Sequence, residues 1–216
     1  MARTNFFYLL SALLFLLIAF PLAQDLEYDN MPIMRAIVFT VLLLVGIWSL
    51  KGSGRLFVIG MVFVVAGIAM SILALNADTI AFRYGTKLAM FGFLIVAITH
   101  TLRQVVFGTE LDTNRLVGAI CVFLLLGMIW AFAYSLLELA VPNSFNGLGT
   151  LNSSEFDSGW LYFSFVTLTT LGYGDITPAT GIARTLAYMQ AVAGQFYVAV
   201  LVAGLVSAYI SDKQGT

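Results

Sequence analysis

Six apolar runs, each close to the length of a bilayer's hydrocarbon core, leave this chain little choice of solvent: Phe6 to Ala23, Pro32 to Leu50, Leu56 to Leu75, Leu88 to Phe107, Leu116 to Val141 and Ala183 to Ile210. A helix needs about 20 apolar residues to cross that core. Inside hydrocarbon it must also satisfy its own backbone hydrogen bonds, which an α-helix does within one segment. The runs are therefore predicted as six transmembrane helices of an all-α integral membrane protein. Composition agrees, because 61% hydrophobic and 10% charged residues lie well outside the balance of a soluble domain.

Basic residues favour one orientation. Arg3, the Lys51/Arg55 pair, Arg103, Arg115 and Lys213 fall at the termini and the even-numbered connections, which are then cytoplasmic. Asp25, Glu27, Asp29, Glu155 and Asp157 fall on the opposite side, while Arg35, Arg83, Lys87 and Arg184 run against the trend. The first run also has a rival reading as a signal peptide, but it exceeds the usual apolar length and Pro21 sits poorly before a cleavage site, so it is read as retained. Cys121 is the sole cysteine, which leaves no intrachain disulfide or cysteine-based metal site. Asn152-Ser153-Ser154 matches a glycosylation sequon in the outer segment.

Between the fifth and sixth runs lies Thr169-Thr170-Leu171-Gly172-Tyr173-Gly174-Asp175. A dehydrated cation needs oxygen ligands in place of its water, and backbone carbonyls serve only when several successive ones face one axis. In an ordinary strand they alternate. Turning them to one side requires left-handed backbone at intervals, which glycine reaches at little cost, and Gly172 and Gly174 stand at alternate positions. Just before this loop, Gly159 to Leu168 is aromatic-rich and too short to span, which suits a re-entrant helix aiming the negative end of its dipole at the pathway. Asp157 or Ser158 would be its N-cap.

From about Leu116 to Ser211 the chain resembles the tetrameric potassium channels, whose filter usually reads Thr-Val-Gly-Tyr-Gly-Asp. Leu171 in place of valine is the one departure within the filter. The resemblance implies potassium coordinated at Thr170, Leu171, Gly172 and Tyr173, with Gly174 closing the filter and tyrosine at 173 favouring potassium over sodium. It also implies that Tyr162 hydrogen-bonds Asp175 and that Glu138 steadies the filter's outer region through backbone amides. Val166 stands where some relatives keep a glutamate that promotes inactivation. Trp160 is read as an interfacial anchor. One loop is a quarter of a cage, so a closed ring of four requires a homotetramer. The implied division is a four-helix domain over 1–110 and a pore domain over 111–216.

The layout is that of the voltage-gated superfamily without its sensor. Moving one charge across the membrane is worth about 2.3 kcal/mol per 100 mV, so steep gating needs several regularly spaced arginines. The fourth run has only His100 and Arg103, near its cytoplasmic end, with Lys87 preceding it. Strong voltage gating is not expected. The sixth run should line the inner pore. Gly194 lies where such helices often bend, and hinge and packing readings stand side by side. If Gly194 faces the axis, α-helical spacing brings Val198, Leu201, Leu205 and Ala208 to the same side, with Gly204 a second small residue in the run.

The expected function is a potassium-selective channel driven by the ion's gradient, with membrane lipids as its surroundings, no cofactor beyond the permeant ion and no nucleic-acid partner. A potassium transporter subunit and a non-conducting accessory subunit are the alternatives. Transporters with such loops carry several degenerate copies per chain, whereas one well-formed copy stands here. An enzyme is not expected, since Glu138 is the only acid in a span that could serve membrane-embedded chemistry. Short connections and the absence of a regulatory domain suggest a bacterial inner membrane.

Overall fold

The computed structural model describes residues 6–25, 54–76, 80–107, 112–148, 158–204, 206–207 and 210. The run from Pro32 to Leu50, Arg35, the sequon, Asp157 and the proposed domain boundary at residue 110 lie outside these residues. The described part is helical: α1 (Phe6–Asp25), α2 (Arg55–Asn76), α3 (Ile80–Phe107), α4 (Thr113–Ala140), α5 (Ser158–Leu168) and α6 (Gly181–Phe196), which continues as a π-helical segment over Tyr197–Val202. Three of them, over Arg55–Leu73, Ile80–Phe107 and Thr113–Ala140, are long and apolar enough to cross a membrane, and α1 contributes a shorter apolar stretch over Phe6–Leu22.

Helices α2 and α3 form an antiparallel pair in which small residues let the backbones close up. Gly67 faces Ala89, Gly85 faces Met70, and the Phe63 ring occupies the space beside Gly92. Helix α3 then packs antiparallel on α4, burying Met90, Phe93, Leu94, Ala97, Thr101 and Val105. At the start of α4, Asp112 accepts the Arg115 N–H as an N-cap. The Arg115 guanidinium reaches back to the carbonyls of Val105 and Val106, which end α3 without intrahelical partners.

Helix α1 is amphipathic in packing though not in polarity. Phe6, Leu9, Leu13, Leu16 and Phe20, at steps of three and four, are buried, while Phe7, Tyr8, Leu14, Phe15 and Ile18 are exposed. The buried stripe lies along α4, where the Phe6 ring fills the space left by Gly118. At its other end Gln24 Oε1 accepts the Ser158 N–H at 2.9 Å and so caps the first turn of α5. Helix α1 thus packs as part of the unit built on α4.

Two elements depart from the sequence reading. Helix α3 begins at Ile80 rather than Leu88, so Arg83 and Lys87 lie within it and not in a loop before it. Charges ended the predicted run, but Lys87 is buried inside the helix pair with its ammonium donating to Ser135 Oγ on α4 at 2.7 Å. The last predicted run is also not a uniform α-helix, since its wider π-wound turns begin at Tyr197.

Candidate functional site

Helix α5 ends in hydrogen bonds that fold the next residues back onto it. Thr169 N–H donates to Phe165 O, Thr170 N–H to Thr167 O, and the amides of Leu171 and Gly172 both donate to Val166 O, at 2.9 and 3.3 Å. The backbone then turns left-handed at every second residue, with φ of 58° at Thr170, 57° at Gly172 and 83° at Gly174. Right- and left-handed residues in alternation bring successive carbonyls to one side, which no regular strand does. A Cβ at Gly172 or Gly174 would meet nothing within 4 Å, so the backbone angle, and not space, calls for glycine there. Thr170 adopts the same handedness with a β-branched side chain, a conformation that persists only where its surroundings impose it. Leu171 and Tyr173 are 56% and 67% exposed in the single chain.

The loop's outer end is tied on two sides. Tyr162 Oη donates to Asp175 Oδ2 at 2.6 Å, and the Tyr162 and Tyr173 rings stack with centroids 6.4 Å apart. That hydrogen bond holds the Asp175 carboxyl below its ordinary range and pushes the Tyr162 hydroxyl up to about 12. From the other side, Glu138 at the end of α4 accepts the Asn143 and Ser144 N–H groups at 2.8 and 2.9 Å, one on each carboxylate oxygen. The turn so fixed leads into a two-residue antiparallel pair, Phe145–Asn146 with Thr177–Pro178, extended by Ala179 N–H to Ser144 O at 2.8 Å. Gly147, with φ of 81°, passes so close to Asp175 that a Cβ there would stand 1.8 Å from the Asp175 carbonyl oxygen. Neither the strand pair nor the close approach at Gly147 follows from the sequence of this outer segment alone.

The aromatic residues of α5 form a wall behind the loop. Trp160 is fully buried and not at an interface, because Phe145 returns through the strand pair to meet it edge-on at 5.3 Å. Tyr134 and Phe163 complete the group at 4.9 Å. Within it runs a polar relay that the sequence reading passed over: Tyr134 Oη donates to Gln190 Oε1, Gln190 Nε2 donates to Ser164 O and Oγ at 3.0 and 2.7 Å, and Ser164 Oγ donates to Gly127 O at 2.6 Å.

On the inner side, Gly194 is buried against the end of α5, where a Cβ would stand 2.2 Å from Leu168 O. Close packing is the observed use of this glycine. Gln195 Nε2 donates to Thr170 Oγ1 at 3.3 Å. Val198 is half exposed, and a Cβ at Gly204 would meet nothing within 4 Å. Leu201 falls in the π-wound segment, while Leu205 and Ala208 lie outside the described residues. Because each π turn takes in one more residue than an α turn, the stripe drawn by α spacing from Gly194 does not carry through this segment unchanged. Tyr197, where the winding changes, donates its hydroxyl to Ala119 O on α4 and packs against Phe123 at 5.7 Å.

Among known proteins, the family described as "Ion channel" matches residues 120–211. Residues 120–211 are therefore similar to an ion-channel domain. The chain's relatives by sequence are potassium channels. The two pore potassium channel c of Oryza sativa subsp. japonica is 48% identical over 75 residues, covering 35% of this chain and 16% of that protein. The two-pore potassium channel 3 of Arabidopsis thaliana is 41% identical over 54 residues, 25% of this chain and 12% of that protein. The chain thus spans less than a fifth of the length of these relatives. No solved structure matches it significantly. The matches are to channels and not to enzymes, and the matched residues nearly coincide with the stretch from Leu116 to Ser211 that resembles the tetrameric potassium channels.

Proposed function

We propose that the chain is the subunit of a homotetrameric, potassium-selective channel, with Thr170, Leu171, Gly172, Tyr173 and Gly174 as its filter. The observation that carries this reading is the left-handed backbone at residues 170, 172 and 174, which turns a row of carbonyls toward one axis where they replace an ion's hydration shell. Tyr162, Asp175 and Glu138 hold the outer end of that row. The inner pore is lined from α6 onward, with half-exposed Val198 and with Gly204 among the described residues. Potassium is the transported substrate and moves down its electrochemical gradient.

Four copies are required because each chain contributes one loop. The exposure of Leu171 and Tyr173, and of Tyr188, Met189, Val192 and Phe196 along α6, supports assembly, since these apolar groups need cover from a second copy or from lipid. The six apolar runs each cross the membrane, and α5 with its loop re-enters from outside. Neither the described residues nor the plant relatives support a bacterial inner membrane. Opening depends weakly on voltage: α3 carries Arg83, Lys87, His100 and Arg103, without the regular arginine spacing of a sensor, and Lys87 is packed against α4.

The test is the reversal potential of the purified protein in planar bilayers under opposed potassium and sodium gradients, followed by a voltage series. Reversal near the potassium equilibrium value and a shallow open-probability curve are expected. Cation current without potassium preference would refute the filter assignment. An assembled tetramer that passes no current would favour an accessory subunit.

A further inference from the structure

We propose that Gln190 is a positioning residue for ion selection: it sets where α5, and the loop continuous with it, sits between α4 and α6. The proposal rests on the channel reading above and assigns a role to a side chain that does not line the ion's path.

Gln190, Tyr134 and Ser164 are each fully buried. They join three helices in a closed relay, in which α4 donates to α6 through Tyr134, α6 to α5 through Gln190, and α5 back to α4 through Ser164 and the Gly127 carbonyl. The donor directions are mutually consistent, and only one orientation of the Gln190 amide satisfies them. Rotating it by half a turn would set its carbonyl against the Ser164 carbonyl and its NH2 against the donating Tyr134 hydroxyl. Buried in an apolar setting, such groups have few alternative partners, so the relay fixes one arrangement of the three helices.

The leverage on the loop comes from register. Gln190 and Gly194 are one turn apart on α6, and their contacts Ser164 and Leu168 are one turn apart on α5. Gly194 limits how near the two helices lie, while Gln190 fixes how far α5 is slid or turned along α6. Val166, between those two contact points, accepts the amides of Leu171 and Gly172. A displacement of α5 therefore carries the start of the carbonyl row with it.

The experiment compares full-length wild type, Gln190→Met and Gln190→Glu in planar bilayers, reading the potassium-to-sodium permeability ratio from reversal potentials and assembly from cross-linking. Methionine fills a similar volume without hydrogen bonds. Gln190→Met is expected to assemble and lose at least about tenfold of the permeability ratio; an assembled Gln190→Met tetramer with the wild-type ratio would overturn the proposal. Glutamate keeps an acceptor for Tyr134, but when ionised it offers the Ser164 carbonyl no donor, and protonation restores one. The ratio of Gln190→Glu should therefore rise from pH 8 to pH 5 while that of wild type stays flat, a dependence that space-filling alone would not produce. Should Gln190→Met fail to assemble, the Gln190→Glu titration decides, and a ratio that does not move with pH overturns the proposal. A wild type without potassium preference would refute the channel reading itself and take this proposal with it.

Discussion

Replacing Gly194 with alanine adds one methyl group at the tightest approach between the last helix and α5. An ideal Cβ there would stand 2.2 Å from Leu168 O, 2.9 Å from Leu168 Cδ1 and 3.1 Å from Leu168 C. Even a close C–H···O contact keeps carbon and oxygen about 3.3 Å apart, so α6 and α5 must separate by roughly 1 Å. The Leu168 side chain can rotate away, but its carbonyl belongs to the backbone of the last turn of α5 and cannot. Overpacking of this kind costs about 1–3 kcal/mol per site, and the proposed tetramer contains four such sites. The assay is the midpoint of thermal dissociation of the purified assembly in detergent, for Gly194→Ala, Gly204→Ala and the double variant Gly194→Ala/Leu168→Ala. Gly194→Ala should lower the midpoint, and Leu168→Ala should not restore it, because the obstacle is the carbonyl. Gly204→Ala, whose new methyl meets nothing within 4 Å in the subunit, should be neutral or slightly stabilising, since alanine favours helix over glycine by about 1 kcal/mol. If Gly194→Ala matched wild type in stability while its open probability changed, close packing would be the wrong account and bending the right one.

Three further outcomes follow from the outer end of the loop. Glu138→Gln leaves one carbonyl for two backbone donors and turns an NH2 toward one of them; with about 1.5–3 kcal/mol at stake in a hydrogen bond to a charged group, amide exchange over residues 143–146 and 177–180 should accelerate, and unchanged protection would refute the role assigned to Glu138. Gly147→Ala combines a left-handed backbone with a methyl 1.8 Å from Asp175 O, so assembled protein should fall sharply, and a wild-type yield would show that the two segments can part freely. Tyr162→Phe removes the bond that holds the Asp175 carboxyl below its ordinary range. The stabilisation from that lowered carboxyl is present above the ordinary value, near 3.9, and is lost as pH falls through the lowered one. The acid limb of the pH–conductance curve should therefore move upward in Tyr162→Phe, and an unmoved limb would mean that Asp175 does not govern it.

Gly172 and Gly174 were legible because left-handed backbone leaves a mark in composition, whereas Thr170, equally left-handed, left none: a β-branched residue held there by its surroundings looks like any other threonine. Glu138 was placed by resemblance, and its two backbone donors supply the physical content of that placement. Trp160 was misread because an aromatic near the start of a short helix suggests an interface, and its burial depends on Phe145, which reaches it through a strand pair too short to have a period. Lys87 ended a predicted span because charge argues against hydrocarbon, but the argument ignores what a neighbouring helix can offer, here the Ser135 hydroxyl. Gln190 drew no notice because a lone amide in an apolar run acquires meaning only from partners 26 and 56 residues away.

The tethers of α1 bear on the order in which the protein is made. Phe6 N–H donates to Asn114 Oδ1 across 108 residues, Cys121 Sγ donates to Phe6 O across 115, and Gln24 receives the Ser158 N–H across 134. At synthesis rates of about 5–20 residues per second, α1 waits roughly 5–27 s for these partners to emerge. An apolar stripe waiting that long in water would invite aggregation, but lipid tails are as apolar as the leucines and phenylalanines that wait in them. The first helix can thus be laid down early and docked late, and a chain divided after α1 should still assemble when both pieces are synthesised into the same membrane. The matched stretch is contiguous in sequence, yet an amide that opens its short helix is closed by α1, far upstream.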